Sequence, residues 1–313
     1  MLRDYVKLIR PHQWIKSSFV FIGVIFGHHW FEWLYVQRAI QAAIAFSLVA
    51  SGVYILNDIR DRDQDREHPR KKLRPLASGR ISVSVGWMLC LLLLSIGLSL
   101  GAWLSWLVLL FLLVYLVLNV AYSYGLKHVV ILDVFIISTG FMLRILSGTS
   151  GIHVEPSKWL LFCGLMITLF LGFSKRRAEL LVQAGNSQEQ QSRRVLEHYN
   201  PALLDLFIGI SLACVIMSYS LYTVSADTIA KHGTADLIYT IPFVLYACFR
   251  YMYLIHMRGG GEDTARDLVR DPHIILAILA WAVLTVALMF GSPAGSLDQG
   301  GLHKPANTKE LPQ

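Results

Sequence analysis

Long apolar runs separated by short charged segments fill the chain, and nine of those runs approach the about 20 residues that a helix needs to cross about 30 Å of hydrocarbon. They fall near Ile15 to Leu34, Ala39 to Leu56, Val83 to Leu100, Trp103 to Ala121, Val129 to Gly148, Ser157 to Phe173, Ala202 to Thr223, Leu237 to His256 and His273 to Phe290. Val83 to Ala121 is one nearly unbroken run and predicts two crossings joined by a tight turn near Gly101. The fold expected is all-α: a polytopic membrane protein whose nine transmembrane helices bundle around a cytoplasm-facing cavity. Residues 1–291 are expected to form one domain. After Gly291 the composition turns to Gly, Pro, Asn and Gln, which predicts a disordered tail over 292–313.

Composition agrees with this pattern: 55% of the 313 residues are hydrophobic and 16% charged, too apolar for a soluble domain. Charge then sets the orientation, because Lys and Arg gather on the cytoplasmic side. With the N-terminus inside, 21 of the 28 Lys and Arg residues fall in inner segments and 5 in outer ones, while Arg144 and Arg250 lie within spans. The C-terminus is then outside. The net charge of +7 belongs to the cytoplasmic face, where it suits anionic lipid and phosphorylated substrates rather than nucleic acid. Cys90, Cys163, Cys214 and Cys248 all fall within spans and read as small apolar core residues.

Behind the second span runs Asn57-Asp58-Ile59-Arg60-Asp61-Arg62-Asp63-Gln64-Asp65. At about 100° per residue, Asn57, Asp58, Asp61 and Asp65 fall within an arc of about 100°, while Asp63 points elsewhere. Carboxylates so gathered repel one another unless a cation sits among them, and oxygen ligands of this kind suit Mg²⁺ that also binds a diphosphate. The competing reading is a solvated acidic turn, offset by Arg60, Arg62 and Arg66.

The segment from Glu67 to Arg80 carries Pro69, Pro75 and Gly79, cannot continue a helix, and is expected to fold over the acidic cluster. Its Arg70, Lys71, Lys72 and Arg74 could grip phosphate oxygens or simply mark the inner side. Tyr122 and Lys127, in the short loop after the fourth span, could reach a diphosphate or anchor the chain at the interface. Asp133 and Arg144 share a helix face about 16 Å apart along the axis. Arg144 lies too deep to snorkel, so it is expected to line a polar cavity and meet an anionic substrate group. After the sixth span, Lys175 and Glu179 stack at i,i+4 with Arg176 on the adjoining face. Asp263, Asp267 and Asp271 stack likewise, and a salt-bridged surface helix with Arg266 and Arg270 is the favoured reading over a second metal site. Neither a His-Glu-x-x-His pair nor a Gly-Lys-Ser/Thr phosphate loop occurs.

Asn-Asp-x-x-Asp-x-x-x-Asp in this setting resembles the UbiA superfamily of intramembrane transferases. Arg10 to Lys16, His68 to Lys71 with Arg74-Pro75, Leu132-Asp133-Val134, Gly140 to Arg144 and Lys175 to Glu179 resemble its decaprenyl-phosphate phosphoribosyltransferase branch, and the likeness runs from about residue 3 to residue 290. The resemblance implies a bacterial cytoplasmic-membrane enzyme that moves phosphoribose from phosphoribosyl pyrophosphate to polyprenyl phosphate and releases diphosphate. It implies Asp58, Asp61 and Asp65 as the catalytic Mg²⁺ and diphosphate site. Substrate contacts are expected from Lys16, Asn57, Arg70, Lys71, Arg74, Tyr122, Lys127, Asp133, Arg144, Lys175, Arg176 and Glu179. Aromatic prenyltransferases of the superfamily carry a second Asp-rich motif between spans six and seven. Here that place holds Lys175-Arg176-Arg177 and Glu179, which suits phosphate-bearing substrates better than a neutral phenol. An aromatic or haem prenyltransferase is the alternative enzyme. A transporter or scaffold is disfavoured, because transporter charges sit at mid-membrane whereas these crowd one face.

Overall fold

The computed structural model describes residues 2–27, 29–69, 71–185, 194–257 and 270–291. The expected disordered tail, Arg70, Asp263, Asp267 and Arg266 lie outside them. Every regular element among the described residues is helical. The helices used below are α1 (Leu2–Ile9), α2 (Ile22–Phe26), α3 (Trp33–Arg60), α4 (Arg62–Glu67), α5 (Val83–Leu104), α6 (Trp106–Tyr124), α7 (Leu132–Ser147), α8 (Lys158–Gly185), α9 (Pro201–Val224), α10 (Ala226–His232), α11 (Ile241–Met257) and α12 (Pro272–Gly291).

Eight described helical segments are long and apolar enough to cross a membrane. The first expected span, Ile15 to Leu34, is not among the eight: Pro11–Phe21 is a 3₁₀ helix that runs into the five-residue α2, and Leu34 already belongs to α3. Hydropathy cannot distinguish the two windings. This segment packs hard against the end of α7, since a Cβ on Gly23 would lie 1.8 Å from the Gly148 carbonyl oxygen and one on Gly148 1.7 Å from that of Val20.

The turn between α5 and α6 falls at Ser105, not at Gly101. Ser105 is extended (φ −168°, ψ 156°) and its hydroxyl accepts from the Val108 N–H, capping α6. Gly101 lies inside α5, where its missing side chain makes room for Leu112: a Cβ there would come within 2.4 Å of Leu112 Cδ1. The glycine serves packing, and the serine serves the turn.

Burial divides the spans. In α3 and the segment beginning with α7, 61% of the apolar window is buried inside the bundle, against 22% in α5, α6 and α12. The first two are therefore the inner helices, and they carry Asp58, Asp133 and Arg144. One apolar cluster, including Phe46, Val49, Val53, Leu112, Tyr115 and Leu143, joins α3, α6 and α7. A second, including Val134, Phe170, Phe173, Leu204, Ile208 and Tyr251, joins α7, α8, α9 and α11.

Candidate functional site

The last turn of α3 delivers Asn57 and Asp58 to one end of the bundle, and the helix then bends. Asp61 (φ −85°, ψ 8°) ends α3 and α4 begins at Arg62. Helical hydrogen bonds continue through this bend, from the Asp61 N–H to the Asn57 carbonyl and from the Asp65 N–H to that of Asp61, each at 2.8 Å. Asp58 and Asp65 come together, both at most 4% exposed, whereas Asp61 turns to Lys127, with Nζ 3.6 Å from its Oδ1. Among the described residues no three His, Cys, Asp or Glu side chains converge closely enough to enclose a metal by themselves. Asp63 is 91% exposed and faces Arg66 at 3.5 Å.

Two arginines neutralise the buried carboxylates. Arg74 Nη1 donates to Asp58 Oδ1 at 3.1 Å and to Asp65 Oδ2 at 2.7 Å. Arg10 Nη2 donates to both oxygens of Asp58, at 2.6 and 2.8 Å. The Pro- and Gly-bearing loop thus does fold over the cluster, with Arg74 as its contact. Arg10 belongs to the Arg-Pro sequence before the first span, and sequence reasoning nominated it for no role. Its backbone is left-handed (φ 58°, ψ 56°) directly before Pro11, a conformation that costs energy for a non-glycine residue and is kept here beside its ion pair. Asn57 is held by Ser123 of α6, whose hydroxyl donates to Asn57 Oδ1 at 2.5 Å. Lys71 is exposed on the short 3₁₀ turn before Arg74.

A second cluster surrounds Asp133, which is fully buried at the start of α7. Arg176 of α8 donates through Nε to Asp133 Oδ2 at 2.7 Å and through Nη1 to Glu179. Tyr199 donates to Asp133 Oδ1 at 3.3 Å and accepts from the Ile131 N–H at 2.6 Å; burial pushes its phenol up to about 12. Tyr122 lies within electrostatic reach of Arg176. Asp133 thus pairs with Arg176 across helices, and Arg176, 1% exposed, has two donors on carboxylates. Lys175 remains on the exposed side. Arg177, beside them, joins Asp205 of α9 at 2.5 Å, and His256 Nε2 of α11 lies 3.1 Å from the same carboxylate oxygen.

Arg144 is buried deeper in the bundle. It donates to the Gly140 carbonyl at 2.7 Å and to the Tyr115 hydroxyl at 3.3 Å, and its guanidinium carbon lies 4.8 to 5.7 Å from the ring centres of Tyr115, Phe46 and Phe141. It pairs with no carboxylate among the described residues, and its buried Nε has no partner. Aromatic faces partly offset such a cation. Lys16, half-buried on the 3₁₀ segment, lies within electrostatic reach of Tyr115.

Asp271 takes no part in either cluster. It pairs with Arg250 of α11 at 2.9 Å, accepts from the His273 and Ile274 N–H groups at the start of α12, and those hydrogen bonds, Arg250's foremost, hold its carboxyl below the usual range. The described partner of Asp271 is thus Arg250 on the preceding described helix.

These features define a membrane-embedded helical protein with its paired carboxylates, basic loops and charged networks collected at one end of the bundle. Residues 17–268 match the model of the UbiA prenyltransferase family, and the chain belongs to that family. It is 32% identical over 298 residues to a decaprenyl-phosphate phosphoribosyltransferase of Mycobacterium tuberculosis, covering 93% of this chain and 96% of that one. A decaprenyl-phosphate phosphoribosyltransferase of Corynebacterium glutamicum is also 32% identical, over 92% of this chain and 87% of its own. Among solved structures, a UbiA homolog from Archaeoglobus fulgidus bound to DMAPP and Mg²⁺ superposes with a TM-score of 0.65 over 92% of this chain and 98% of that one. At 18% identity that likeness establishes the fold alone.

Proposed function

We propose that this protein transfers phosphoribose from phosphoribosyl pyrophosphate to a polyprenyl phosphate. The observation that carries this reading is 32% identity, over nearly the whole chain, to enzymes named for decaprenyl-phosphate phosphoribosyl transfer. The arrangement of charges supports it: basic residues line the loops beside a paired carboxylate site, as two phosphate-bearing substrates require. In the reaction a lipid-phosphate oxygen forms a bond to the anomeric carbon of the ribose. The bond from that carbon to the diphosphate breaks, and the diphosphate leaves with the electron pair.

Asp58 and Asp65 fit a divalent cation. Arg74 Nη1 touches an oxygen of each, so both carboxylates already reach one positive centre. Mg²⁺ is commonly held by one or two carboxylates and completed by phosphate oxygens, a need that a two-carboxylate site meets. When bound, Mg²⁺ neutralises charge on the departing diphosphate. Asp61, 32% exposed and beside Lys127, would act at the rim of the same site. Lys71 and Lys127 would hold phosphate oxygens, while Lys16 and Arg144 would supply positive charge deeper in the bundle for the lipid phosphate. Arg176 and Tyr199 would fix Asp133, and with it the inner end of α7. The acceptor phosphate is anionic near neutral pH, so no protein base has to take a proton from it. The excess of Lys and Arg in the loops at this end supports a cytoplasmic site, with the N-terminus inside.

Purified protein incubated with labelled phosphoribosyl pyrophosphate, Mg²⁺ and polyprenyl phosphates of several lengths should yield labelled lipid. A protein that ignored phosphoribosyl pyrophosphate, yet moved an isoprenoid from a polyprenyl diphosphate to a phenol, would overturn this reading.

A further inference from the structure

We propose that Arg74 is an exchangeable counter-cation. It holds the position between Asp58 and Asp65 that a divalent cation would take, and it passes to the diphosphate when such a cation enters, so that metal and diphosphate bind as a cooperative pair. The inference rests on the metal and diphosphate reading above and adds a coupling between the two.

Geometry makes the positions mutually exclusive. A single nitrogen, Arg74 Nη1, lies 3.1 Å from Asp58 and 2.7 Å from Asp65. Mg²⁺ binds oxygen at about 2.0–2.1 Å, so a metal bridging the same two carboxylates would occupy the place of that nitrogen. Both acids are almost wholly buried. Withdrawing the guanidinium with no replacement would leave buried charge uncompensated, which is strongly unfavourable. One cation must therefore enter as the other leaves.

Of the two arginines on Asp58, Arg74 is the one free to move. Arg10 is set in a left-handed backbone between α1 and Pro11. Arg74 is 32% exposed on a loop, and the hydrogen bonds its side chain makes are those to Asp58 and Asp65. Once displaced, its planar fork matches phosphate oxygens better than an ammonium would. Diphosphate would thus offer the departing guanidinium a new partner, and metal would free the guanidinium for diphosphate. Such coupling must be reciprocal.

The test measures protein-bound Mn²⁺ by equilibrium dialysis of the detergent-solubilised full chain, with and without inorganic pyrophosphate. In the wild type, pyrophosphate should tighten Mn²⁺ binding about tenfold. Arg74→Gln should bind Mn²⁺ alone about tenfold more tightly than wild type, and pyrophosphate should then add less than about twofold. Lys72→Gln removes the same charge from the same loop without touching either carboxylate, and should change Mn²⁺ affinity by less than about twofold. Arg74→Lys, whose ammonium cannot reproduce the guanidinium fork, should lie between and serves if Arg74→Gln does not fold. Equal shifts in Arg74→Gln and Lys72→Gln, or no effect of pyrophosphate on the wild type, would overturn the exchange while leaving the metal site in place. Absence of bound Mn²⁺ under every condition would overturn the metal reading and the exchange together.

Discussion

Arg176 Nε lies 2.7 Å from Asp133 Oδ2, and neither side chain is more than 2% exposed. The pair joins α8 to the first turn of α7, and Glu179 shares the same guanidinium. The guanidinium thus joins two helices and contacts two carboxylates.

Arg176→Ala should therefore act first on stability. Removing one partner strands a buried carboxylate, at a cost of about 3–5 kcal/mol. The thermal midpoint in detergent should fall sharply, and Asp133→Asn in the same chain should restore part of the loss by removing the stranded charge. A variant with the wild-type midpoint and a selectively raised KM for one substrate would instead make Arg176 a direct substrate ligand.

For the acidic cluster, Asp58→Ala and Asp65→Ala should each lower turnover by about a hundredfold or more, as loss of a group that stabilises developing charge does. Asp61→Ala should also be severe, because Lys127 would lose its partner at the rim. Asp63→Ala should stay within about threefold of wild type, since a 91% exposed side chain contributes little to a fixed geometry. EDTA should abolish turnover and added Mg²⁺ restore it. Full activity in EDTA, or equal damage from Asp63 and Asp65, would sink the assignment.

The spans were legible because hydrocarbon demands long apolar runs whatever the packing, and the acidic segment stood out against them. What hydropathy could not register was local winding and partner choice. The 3₁₀ course of Pro11–Phe21 has the same composition as an α-helix. Gly101 looked like a turn because glycine serves both turns and close packing, and Leu112 decides between them. Helical phase brings Asp58 and Asp65 together but does not register the bend at Asp61, whose side chain meets Lys127. Arg176 and Asp133 are 43 residues apart, and Tyr199 and Ser123 belong to no motif, so their roles appear only once the helices are packed.

Orientation can be tested with single cysteines placed on exposed residues at opposite ends of the bundle, after the four native cysteines are replaced. Lys72→Cys should react with a membrane-impermeant thiol reagent only when the cytoplasmic side is open. Ala235→Cys, between α10 and α11, should react from outside in intact cells. The reverse pattern would invert the bundle and the side on which phosphoribosyl pyrophosphate is met.

Tyr199 supplies a pH test. Its hydroxyl accepts from the N–H of Ile131, whose φ of 69° is unusual for a β-branched residue, and donates to Asp133. Tyr199→Phe should cost about 1–3 kcal/mol, the penalty for leaving a buried N–H without its partner. Burial raises the phenol from 10.0 to about 12, so the folded state favours the neutral form. A group raised in this way contributes fully below its unfolded value and loses its contribution as pH climbs through the folded one. The stability advantage of wild type over Tyr199→Phe should accordingly be level from about pH 7 to 9 and shrink between about pH 10 and 12. Thermal midpoints of both proteins in one detergent across that range measure it; an advantage that stayed constant to about pH 11.5 would show that the Tyr199 proton is not what secures Ile131 and Asp133.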